Sequence, residues 1–286
     1  PTEGRQEIWE DPTTLVSASI IPKTKFREKG GDVVVSGRFG FASGCDHAPW
    51  LSVGGLLPGD QPAPVICALP AEDVIIDHKS WDVIGLRGTG SKDLVIAEEV
   101  VVPGHRVLRV AESAARRSPG QVHYGRPLYT CPWRTTAILV LAAPVIGAAK
   151  AAVRRFQERL DDHFLVALAN TQRNDPAAGY RLAESTAEIL AAELLLYDAA
   201  ARLDQLGGSE EVDPLINASI VRDCGWGVRA LAAAVDRLYE ASGANAMRAG
   251  EPMQRLWRDV NAARSHAILT WDHAANIYGK ALLDNT

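Results

Sequence analysis

The chain has few cysteines, which excludes several classes of small stabilised domain. Its 286 residues include only Cys45, Cys67, Cys131 and Cys224, and no two of them form a CxxC pair. This spacing argues against a structural zinc site and against a disulfide framework. We therefore expect no metal site, and reduced thiols such as those of a cytoplasmic protein.

Excess positive charge and long apolar runs are also missing. The 30 Lys and Arg residues are outnumbered by 35 Asp and Glu residues, so the formal charge of -5 argues against a nucleic-acid partner. No apolar run reaches the roughly 18 residues of a membrane span. The longest candidate, 137–149, contains Pro144 and is followed by Lys150. We expect neither a nucleic-acid nor a membrane partner.

What is present is the composition of a globular protein in two parts. With 47% hydrophobic and 23% charged residues, the chain can fill one large core or two smaller ones. Residues 1–108 contain short β-branched or apolar runs between turn signals, which predicts a β-barrel or a sandwich. The predicted strands are Leu15–Ile21, Asp32–Ser36, Trp50–Leu57, Val65–Leu69, Val74–Asp77 and Asp93–Val102. The pair Gly54-Gly55 within a strand predicts a bulge or a close approach of another group.

Residues 133–286 have helical periodicity instead, and residues 109–132 form a polar connection between the two parts. The pattern predicts four long helices, over about 133–160, 176–206, 214–241 and 252–283. Asp213 suits the N-cap of the third helix and Pro214 its first position. Helices of this length with short loops pack as an antiparallel four-helix bundle. The predicted class is therefore α+β, with a β-barrel domain followed by a bundle.

Two strings in the first part have the most specific pattern. Residues 36–47 read SGRFGFASGCDH, and residues 85–93 read GLRGTGSKD. Together they resemble the acyl-CoA dehydrogenase fold, in which a barrel also precedes a bundle. The first string resembles the oxygen-using branch of that fold, the group D oxygenase components of two-component flavin-dependent monooxygenases, which hydroxylate hydroxyphenylacetate or hydroxysteroid catabolites. Members of the fold also begin with a helical domain, and we see no counterpart of it here.

The resemblance assigns roles to the first string. The serine that matches Ser43 lies beside flavin N5 and helps to hold the C4a-hydroperoxide that transfers oxygen, with Phe41 and Gly44 next to it in the flavin site. Ser19, or alternatively Ser17, matches the strand that bonds the pyrimidine edge of the ring. From chemistry alone Ser43 is equally well an ordinary turn serine, since Gly44 only permits close approach of a ligand. The second string lacks the strand–turn–helix context of a phosphate loop and is interpreted as a mainly structural turn.

Other residues match the phosphate side of the flavin site. Arg173 corresponds loosely to an arginine that pairs with a flavin phosphate, and its forked guanidinium suits that partner. A solvated loop arginine is the alternative. The resemblance also places Ser242, Gly243 and Ala244 where relatives offer small residues and backbone amides to a flavin, often one bound mainly by a neighbouring subunit.

The predicted fourth helix carries the second catalytic candidate. Met253, Leu256, Val260, Ala263, Ala267, Trp271, Ala274 and Tyr278 form a stripe predicted to face the core. His266 and His273 are seven residues apart, a rise of about 10.5 Å, so they do not share a metal ion. The string 258–266 resembles the helix in which a matching histidine approaches the reactive edge of the flavin. His266 is therefore predicted to protonate the peroxide or to help ionise a phenol, with a packed or surface histidine as the alternative. Asp259 is predicted to be an ion-pair partner.

One absence decides between the two chemistries of the fold. An acyl-CoA dehydrogenase needs a carboxylate base, often a glutamate of the last helix, and no glutamate follows Arg258. The resemblance therefore implies a monooxygenase that uses reduced FMN or FADH2 from a separate flavin reductase, and dioxygen, to hydroxylate a small aromatic substrate, most simply a phenol. The alternatives are an acyl-CoA dehydrogenase that oxidises a thioester with FAD, and a non-enzymatic assembly protein. By the same resemblance we expect a cytoplasmic homotetramer. The substrate, the choice of FMN or FAD, and oxygenation at carbon, nitrogen or sulfur stay open.

Overall fold

A computed structural model describes residues 2–161, 164–165 and 169–284. The chain divides into two compact units, Pro1–Val83 with Arg87–Gly125 and Ile84–Leu86 with Arg126–Thr286. The first unit contains the long strands and the second the long helices, so the predicted α+β class is confirmed. The residues predicted as a connection contain three short helices, α2 (Val110–Ala114), α3 (Pro119–Tyr124) and α4 (Pro127–Thr130).

Within its described residues, the first unit contains eight strands in two four-stranded sheets. They are β1 (Val16–Lys25), β2 (Arg27–Lys29), β3 (Asp32–Ala42), β4 (Trp50–Leu57), β5 (Ala63–Pro70), β6 (Ile75–Asp77), β7 (Lys92–Val102) and β8 (Val107–Arg109). The sheet orders are β1-β4-β5-β8 and β2-β3-β7-β6. Side chains of both sheets form one apolar core that includes Phe26, Val35, Leu51 and Leu94. The six predicted strands are confirmed, and the two that were missed are only three residues long.

The glycine pair in β4 marks a close approach, as predicted. A Cβ on Gly54 would lie 2.4 Å from the carbonyl oxygen of Ile20, and one on Gly55 would lie 2.3 Å from the ring of Phe26. Opposite this pair, the parallel register of β1 and β4 shifts between Ser19 and Thr24. Glycine at both positions therefore lets the backbone of Ile20 and the ring of Phe26 lie directly against β4.

The expectation that residues 1–108 are all β is wrong at the start, because Thr2–Trp9 form a helix, α1. The helix buries Ile8. The carboxylate of Glu7 accepts hydrogen bonds from Arg106, one of them 2.8 Å long, and lies 2.9 Å from Nε2 of His105. These contacts, more than its own sequence pattern, hold α1 against the first unit.

The second unit is built around one central helix. Its long helices are α5 (Trp133–Arg159), α6 (Pro176–Gly208), α7 (Pro214–Ala241), α8 (Pro252–Arg264) and α9 (Trp271–Asp284). A two-stranded ribbon, Phe164–Leu165 with Asn170–Thr171, lies between α5 and α6. Helix α7 contacts the other four helices, and Asp213 caps it by accepting the amides of Leu215 and Ile216, as predicted.

The expected fourth helix is not continuous, and this prediction was wrong. It ends at Arg264 and begins again at Trp271. Between the two helices the carbonyl of His266 accepts the amides of both Leu269 and Thr270, which closes a tight turn. The turn brings the buried Leu269 towards α7, where Gly225 leaves room for the backbone of the turn and for Ala274. Ala267, expected on the core stripe, is exposed.

Helix α5 is long and apolar enough to cross a membrane by length and composition. An 18-residue window has a mean hydropathy of 2.0, and 33% of that window is buried. The core helix of a bundle meets the same criteria, and α5 packs against α6, α7 and α8.

One buried acidic residue connects α6 and α7. The carboxylate of Asp223, whose side chain is 3% exposed, lies 2.5 Å from Arg202 and 2.6 Å from Arg222. Arg202 also pairs with the exposed Asp198 at 2.8 Å. Two guanidinium groups thus compensate a carboxylate that would otherwise be costly to bury.

Candidate active site

The two signature strings meet at one end of the paired strands β3 and β7. Ala42 lies opposite Lys92 in this ladder, so the residues that follow β3 lie beside those that precede β7. The amide of Gly44 donates to the carbonyl of Thr89 at 2.8 Å, and the Oγ atoms of Ser43 and Ser91 are 2.8 Å apart. The second string therefore forms part of the turn that presents Ser43.

Phe41 occupies an unusual position in this turn. The register of β3 against β7 shifts between Phe39 and Ala42, and Phe41 lies in the shifted segment with a φ of 65°. Left-handed backbone costs a residue other than glycine roughly 1–2 kcal/mol. Even so, the ring of Phe41 is 64% exposed and contacts Trp81 edge to face at 6.2 Å. Strain that exposes an apolar ring is typical of a functional position.

Ser43 presents its hydroxyl and not its backbone. Its residue is exposed. Its amide donates to the carbonyl of Phe41 at 3.1 Å, and the amide of Gly44 is engaged by Thr89. Gly44 has a φ of 74°, which explains the glycine. Both amides therefore have partners within the protein, and Ser43 itself is an exposed residue.

The side chains of Ser17 and Ser19 bond the backbone of the turn. Both are buried on β1. The hydroxyl of Ser17 donates to the carbonyl of Ser43 at 2.8 Å, and that of Ser19 donates to the carbonyl of Gly40 at 2.5 Å. Their protons, expected at the pyrimidine edge of a ring, are thus used to fix the backbone around Phe41 and Ser43. A contact of either oxygen with a flavin stays a prediction.

The remaining residues of the first string stabilise the turn. Asp46 accepts Lys92 at 2.6 Å, and this ammonium group holds the pKa of the carboxyl below its ordinary value. The Sγ atom of Cys45 lies 3.6 Å from the carbonyl oxygen of Gly90, and burial raises the pKa of the thiol. A buried thiol with a raised pKa is a poor nucleophile. Cys45 and Asp46 therefore serve the structure of the turn.

His266 lies in the turn between α8 and α9, within the second unit. The residue is exposed, yet desolvation by the protein around the ring lowers the pKa of the imidazole. The adjacent residues line an open cleft of about 380 Å³ with Gly225, Arg229 and Trp271. The guanidinium of Arg229 lies over the indole of Trp271 at 5.8 Å. A neutral imidazole can accept a proton from a ligand hydroxyl.

Asp259 has a different role from the one expected. Its Oδ1 atom accepts the amide of Leu86 at 2.7 Å. The neighbouring Arg258 donates to the carbonyl of Ile84 and to Gln254. Residue 85 must be a glycine for this close approach, because a Cβ there would lie 2.2 Å from the carbonyl oxygen of Arg258. Asp259 thus fastens the start of the second string to α8.

The candidate phosphate residues lie near the end of α7. The guanidinium of Arg173 forms a two-point ion pair with Asp161, which raises the pKa of Arg173, so a phosphate would share or replace this partner. Ser242 is buried and its hydroxyl donates to the carbonyl of Leu238 at 2.8 Å. Of the three residues predicted in this turn, Gly243, with a φ of 65°, and Ala244 are exposed.

One residue that the sequence reasoning missed connects these two segments. Gln172, 2% exposed, donates from Nε2 to the carbonyl of Ala241 at 2.7 Å. The structure thereby brings the residue before Arg173 against the residue before Ser242. An isolated Gln next to an Arg gives no signal that would reveal this pairing from the sequence.

The structure also adds Thr89 and Ser91 to the site. Their side-chain oxygens are 2.7 Å apart, and Ser91 is buried against Ser43. The second string was predicted to be a mainly structural turn, although the pairing of β3 with β7 brings these hydroxyls together. Among the described residues, no group of three or more His, Cys, Asp or Glu side chains is placed to hold a metal ion.

This surface suits a flat aromatic cofactor with a polar edge. The strained and exposed ring of Phe41, beside Trp81, offers an apolar face. The Ser43 hydroxyl offers one polar group at its margin; Ser91 bonds this hydroxyl, and Ser17 fixes the backbone carbonyl of Ser43. A reduced flavin has these properties, so the residues present fit the cofactor that the first string predicts.

Comparison with known proteins supports the same conclusion. The family model for the acyl-CoA dehydrogenase C-terminal domain matches residues 139–271. The chain is 34% identical to the oxygenase subunit HsaA of a flavin-dependent monooxygenase from Rhodococcus jostii, over 97% of this chain and 73% of that protein. It is 31% identical to the oxygenase component of an FADH2-dependent resorcinol hydroxylase from a Rhizobium species, over 99% of this chain and 72% of that protein.

The likeness extends to three dimensions. The crystal structure of the 3-HSA hydroxylase from Rhodococcus sp. RHA1 superimposes with a TM-score of 0.89 at 32% identity, over 99% of this chain and 73% of that chain. The predicted resemblance is thus confirmed by a sequence identity of 31–34% over nearly the whole chain and by the shared fold. The chain belongs to the oxygenase components of two-component flavin-dependent monooxygenases, within the acyl-CoA dehydrogenase superfamily.

Proposed function

We propose that this protein hydroxylates a small phenolic ring, with Ser43 and His266 as its catalytic residues. The observation that carries the proposal is the surface hydroxyl of Ser43, held beside the strained, exposed ring of Phe41. Two relatives support the substrate class by name, the resorcinol hydroxylase and a p-hydroxyphenylacetate 3-hydroxylase from Acinetobacter baumannii.

The general reaction follows from the family. Oxygenase components of this kind use reduced flavin, FADH2 or FMNH2, that a separate reductase supplies. The flavin, when bound, reduces dioxygen so that one oxygen atom enters the substrate and the other leaves as water. The prediction of a monooxygenase is confirmed by the family, and the alternative of an acyl-CoA dehydrogenase has no support, since neither α9 nor the turn before it contains a glutamate.

The residues of the chain divide the work between binding and proton transfer. Phe41 provides an apolar face for the ring system, and Ser43 donates or accepts one hydrogen bond at its edge. Arg173, Gly243 and Ala244 are the residues proposed for the phosphate side. His266 is proposed to accept the proton of a phenolic hydroxyl, because its lowered pKa keeps the imidazole neutral near pH 7. An ionised phenol is richer in electrons and reacts faster with an electrophilic oxygen.

An isotope experiment tests this function. The protein is mixed with photoreduced FMN or FAD, ¹⁸O₂, and either resorcinol, 4-hydroxyphenylacetate or indole. We expect one ¹⁸O atom in the product from a phenol, and a larger share of hydrogen peroxide when Ser43 is replaced by Ala. Complete conversion of dioxygen to hydrogen peroxide with every substrate would refute the proposal. Running FMN and FAD side by side identifies the preferred flavin.

We also propose that the protein assembles as a homotetramer through its helices. Leu190, Leu194 and Tyr197 lie on one exposed face of α6, and Val140 is exposed on α5. Exposed apolar faces of this extent favour association with another protein surface, and most soluble oligomers are made of identical subunits. Light scattering coupled to gel filtration should give four times the chain mass, and Leu194→Glu should lower it. A monomer at micromolar concentration would contradict this assembly.

We place the protein in the cytoplasm, where a reductase can supply reduced flavin. The four cysteines are buried free thiols, which suits a reducing compartment. Fractionation of cells with an antibody to the protein checks this location.

A further inference from the structure

Trp81, the residue beside the exposed Phe41 ring, follows a turn that is fastened to the start of β7. The turn begins at Asp77, the last residue of β6. The amide and the hydroxyl of Ser80 both donate to the carbonyl of Asp77, at 3.1 Å and 2.6 Å. The same hydroxyl accepts the amide of Asp93 at 2.8 Å. Because Trp81 is the next residue along the chain, these bonds determine where its side chain leaves the backbone.

Arg38, a residue of the first signature string, holds the same turn by its charge. Its guanidinium lies 2.5 Å from the carboxylate of Asp77 and 2.7 Å from that of Asp93. In the sheet order, β7 lies between β3 and β6, so this side chain reaches from β3 across β7 to β6. A guanidinium donates in fixed directions, and it therefore fixes the two carboxylates relative to each other. Neither Arg38 nor Asp93 received a role from the sequence.

Asp93, a residue of the second signature string, also lies beside the backbone next to Phe41. A Cβ on Gly40 would lie 3.2 Å from Oδ1 of Asp93, so glycine at this position leaves room for the carboxylate. The other oxygen, Oδ2, accepts Nε of Arg38. Asp93 therefore lies against the residue before Phe41 and, through Ser80, fixes the residue before Trp81.

These anchors bring Trp81 to the ring that the strained backbone exposes. The planes of the Phe41 and Trp81 rings meet at 85° with their centroids 6.2 Å apart. In this geometry the positive edge of one ring meets the negative face of the other. An exposed side chain without such a neighbour exchanges rapidly between rotamers. A ligand that binds only one of them then loses affinity in proportion to the population of the others.

We propose that Trp81 is a positioning residue for the flavin, and that Arg38, Ser80 and Asp93 hold it against Phe41. This inference rests on the proposed function, in which Phe41 provides the apolar face for the flavin ring. Trp81 acts through Phe41, because the contact keeps the exposed ring in the orientation that the flavin meets. The effect belongs to the ring system of the flavin, so a flavin with a phosphate and one without it should respond by the same factor.

The first part of the experiment measures binding without turnover. Dissociation constants of anaerobically reduced FMN and riboflavin are determined for the wild type, Trp81→Leu, Trp81→Phe, Ser80→Ala and Trp9→Leu. The worth of an aromatic pair corresponds to a change of about two- to tenfold in a binding constant, so Trp81→Leu should weaken both flavins by this factor. Trp81→Phe keeps a ring and should restore most of the affinity, and Ser80→Ala should weaken binding less than Trp81→Leu. Trp9→Leu, which removes an exposed tryptophan of α1, should leave both constants unchanged.

The second part tests whether Trp81 acts through Phe41. Phe41→Leu keeps an apolar side chain but removes the ring that Trp81 contacts. In this background Trp81→Leu should cause almost no further weakening, since two residues that act through one contact are not additive. Urea unfolding of each variant distinguishes a loss of flavin binding from a loss of the fold.

Each outcome decides a separate point. If the wild type binds both flavins and Trp81→Leu binds them as tightly, the inference is refuted and the proposed function stands. If Trp81→Leu weakens binding by the same factor with and without the Phe41 ring, Trp81 does not act through Phe41 and the inference fails as well. If the wild type binds no reduced flavin, FAD included, the proposed function fails and the inference with it.

Discussion

Two glycines of α7, only two residues apart, should respond in opposite ways to replacement by alanine. A Cβ on Gly225 would lie 2.5 Å from Cβ of Ala274, an atom fixed directly to the backbone of α9. A Cβ on Gly227 would lie 3.5 Å from the side chain of Leu196, an ordinary contact. Both glycines are buried in the same helix, so each substitution serves as the control for the other.

The expected magnitudes follow from two opposing contributions. Alanine in place of glycine favours a helix by about 0.8–1.0 kcal/mol. This gain applies to both sites, and Gly227→Ala should therefore be stabilising by up to about 1 kcal/mol. Carbon atoms pack at about 3.5–4.0 Å, so Gly225→Ala forces α9 away from α7 by roughly 1 Å. Overpacking of a core typically costs about 1–3 kcal/mol. Because the helix contribution cancels, the two variants should differ by about 1–3 kcal/mol.

Urea unfolding measures this difference as a change in midpoint at constant slope. The double variant Gly225→Ala with Ala274→Gly removes the clash, so the two substitutions should be less destabilising together than the sum of their separate effects. Equal stability of Gly225→Ala and Gly227→Ala would contradict the predicted clash with Ala274. Because Ala274 follows the turn that contains His266, we also expect Gly225→Ala to reduce hydroxylation more than Gly227→Ala does.

Three further predictions concern charged groups. Replacing the buried Asp223 by Asn should cost about 3–5 kcal/mol of unfolding free energy, because two arginines lose their partner. Replacing the exposed Asp198 by Asn should cost at most about 1 kcal/mol. Equal losses of unfolding free energy in urea would contradict the effect of burial. Hydrogen bonding and attraction from Arg106 hold the pKa of Glu7 at about 2, against 4.5 for the free side chain. The ion pair should therefore stabilise α1 fully above pH 4.5 and lose its effect as the pH falls towards 2, and Glu7→Gln should speed hydrogen exchange in α1 at pH 7 with little change in the rest of the first unit. Desolvation lowers the pKa of His266, so the neutral imidazole should persist to a pH below 6.5. Hydroxylation should therefore fall only as the pH drops through that lowered pKa. His266→Gln should remove this loss of activity at acidic pH, and His47→Gln should keep it.

Local patterns were sufficient for the elements and for the family. Alternating or apolar runs between turn residues identified the five long strands and the short β6, because side chains of a strand repeat every two residues. Asp213 and Pro214 fixed the start of α7 through capping chemistry that involves only neighbouring residues. The signature string around Ser43 was sufficient to assign the branch of the superfamily, which identity to known oxygenases confirmed.

The broken fourth helix shows where local patterns fail. The stripe from Met253 to Tyr278 continues with helical spacing across residues 265–270, and no proline or glycine interrupts it. The break arises because Leu269 packs against α7 where Gly225 leaves space, a contact between residues 44 positions apart. Helix propensity differs by less than about 1 kcal/mol per residue, so a tertiary contact of this kind overrides it.

The candidate site divides in the same way. The contiguous strings alone led to Ser43, Phe41 and His266 as candidates for the flavin site. The hydrogen-bond partners of the hydroxyls came from the folded chain. There Ser17 and Ser19 donate to backbone carbonyls, and Ser91 bonds Ser43 across paired strands. The physical reason is that a hydroxyl's partner depends on which strands lie side by side, and the pairing of β3 with β7 is a property of the folded chain and not of either string alone.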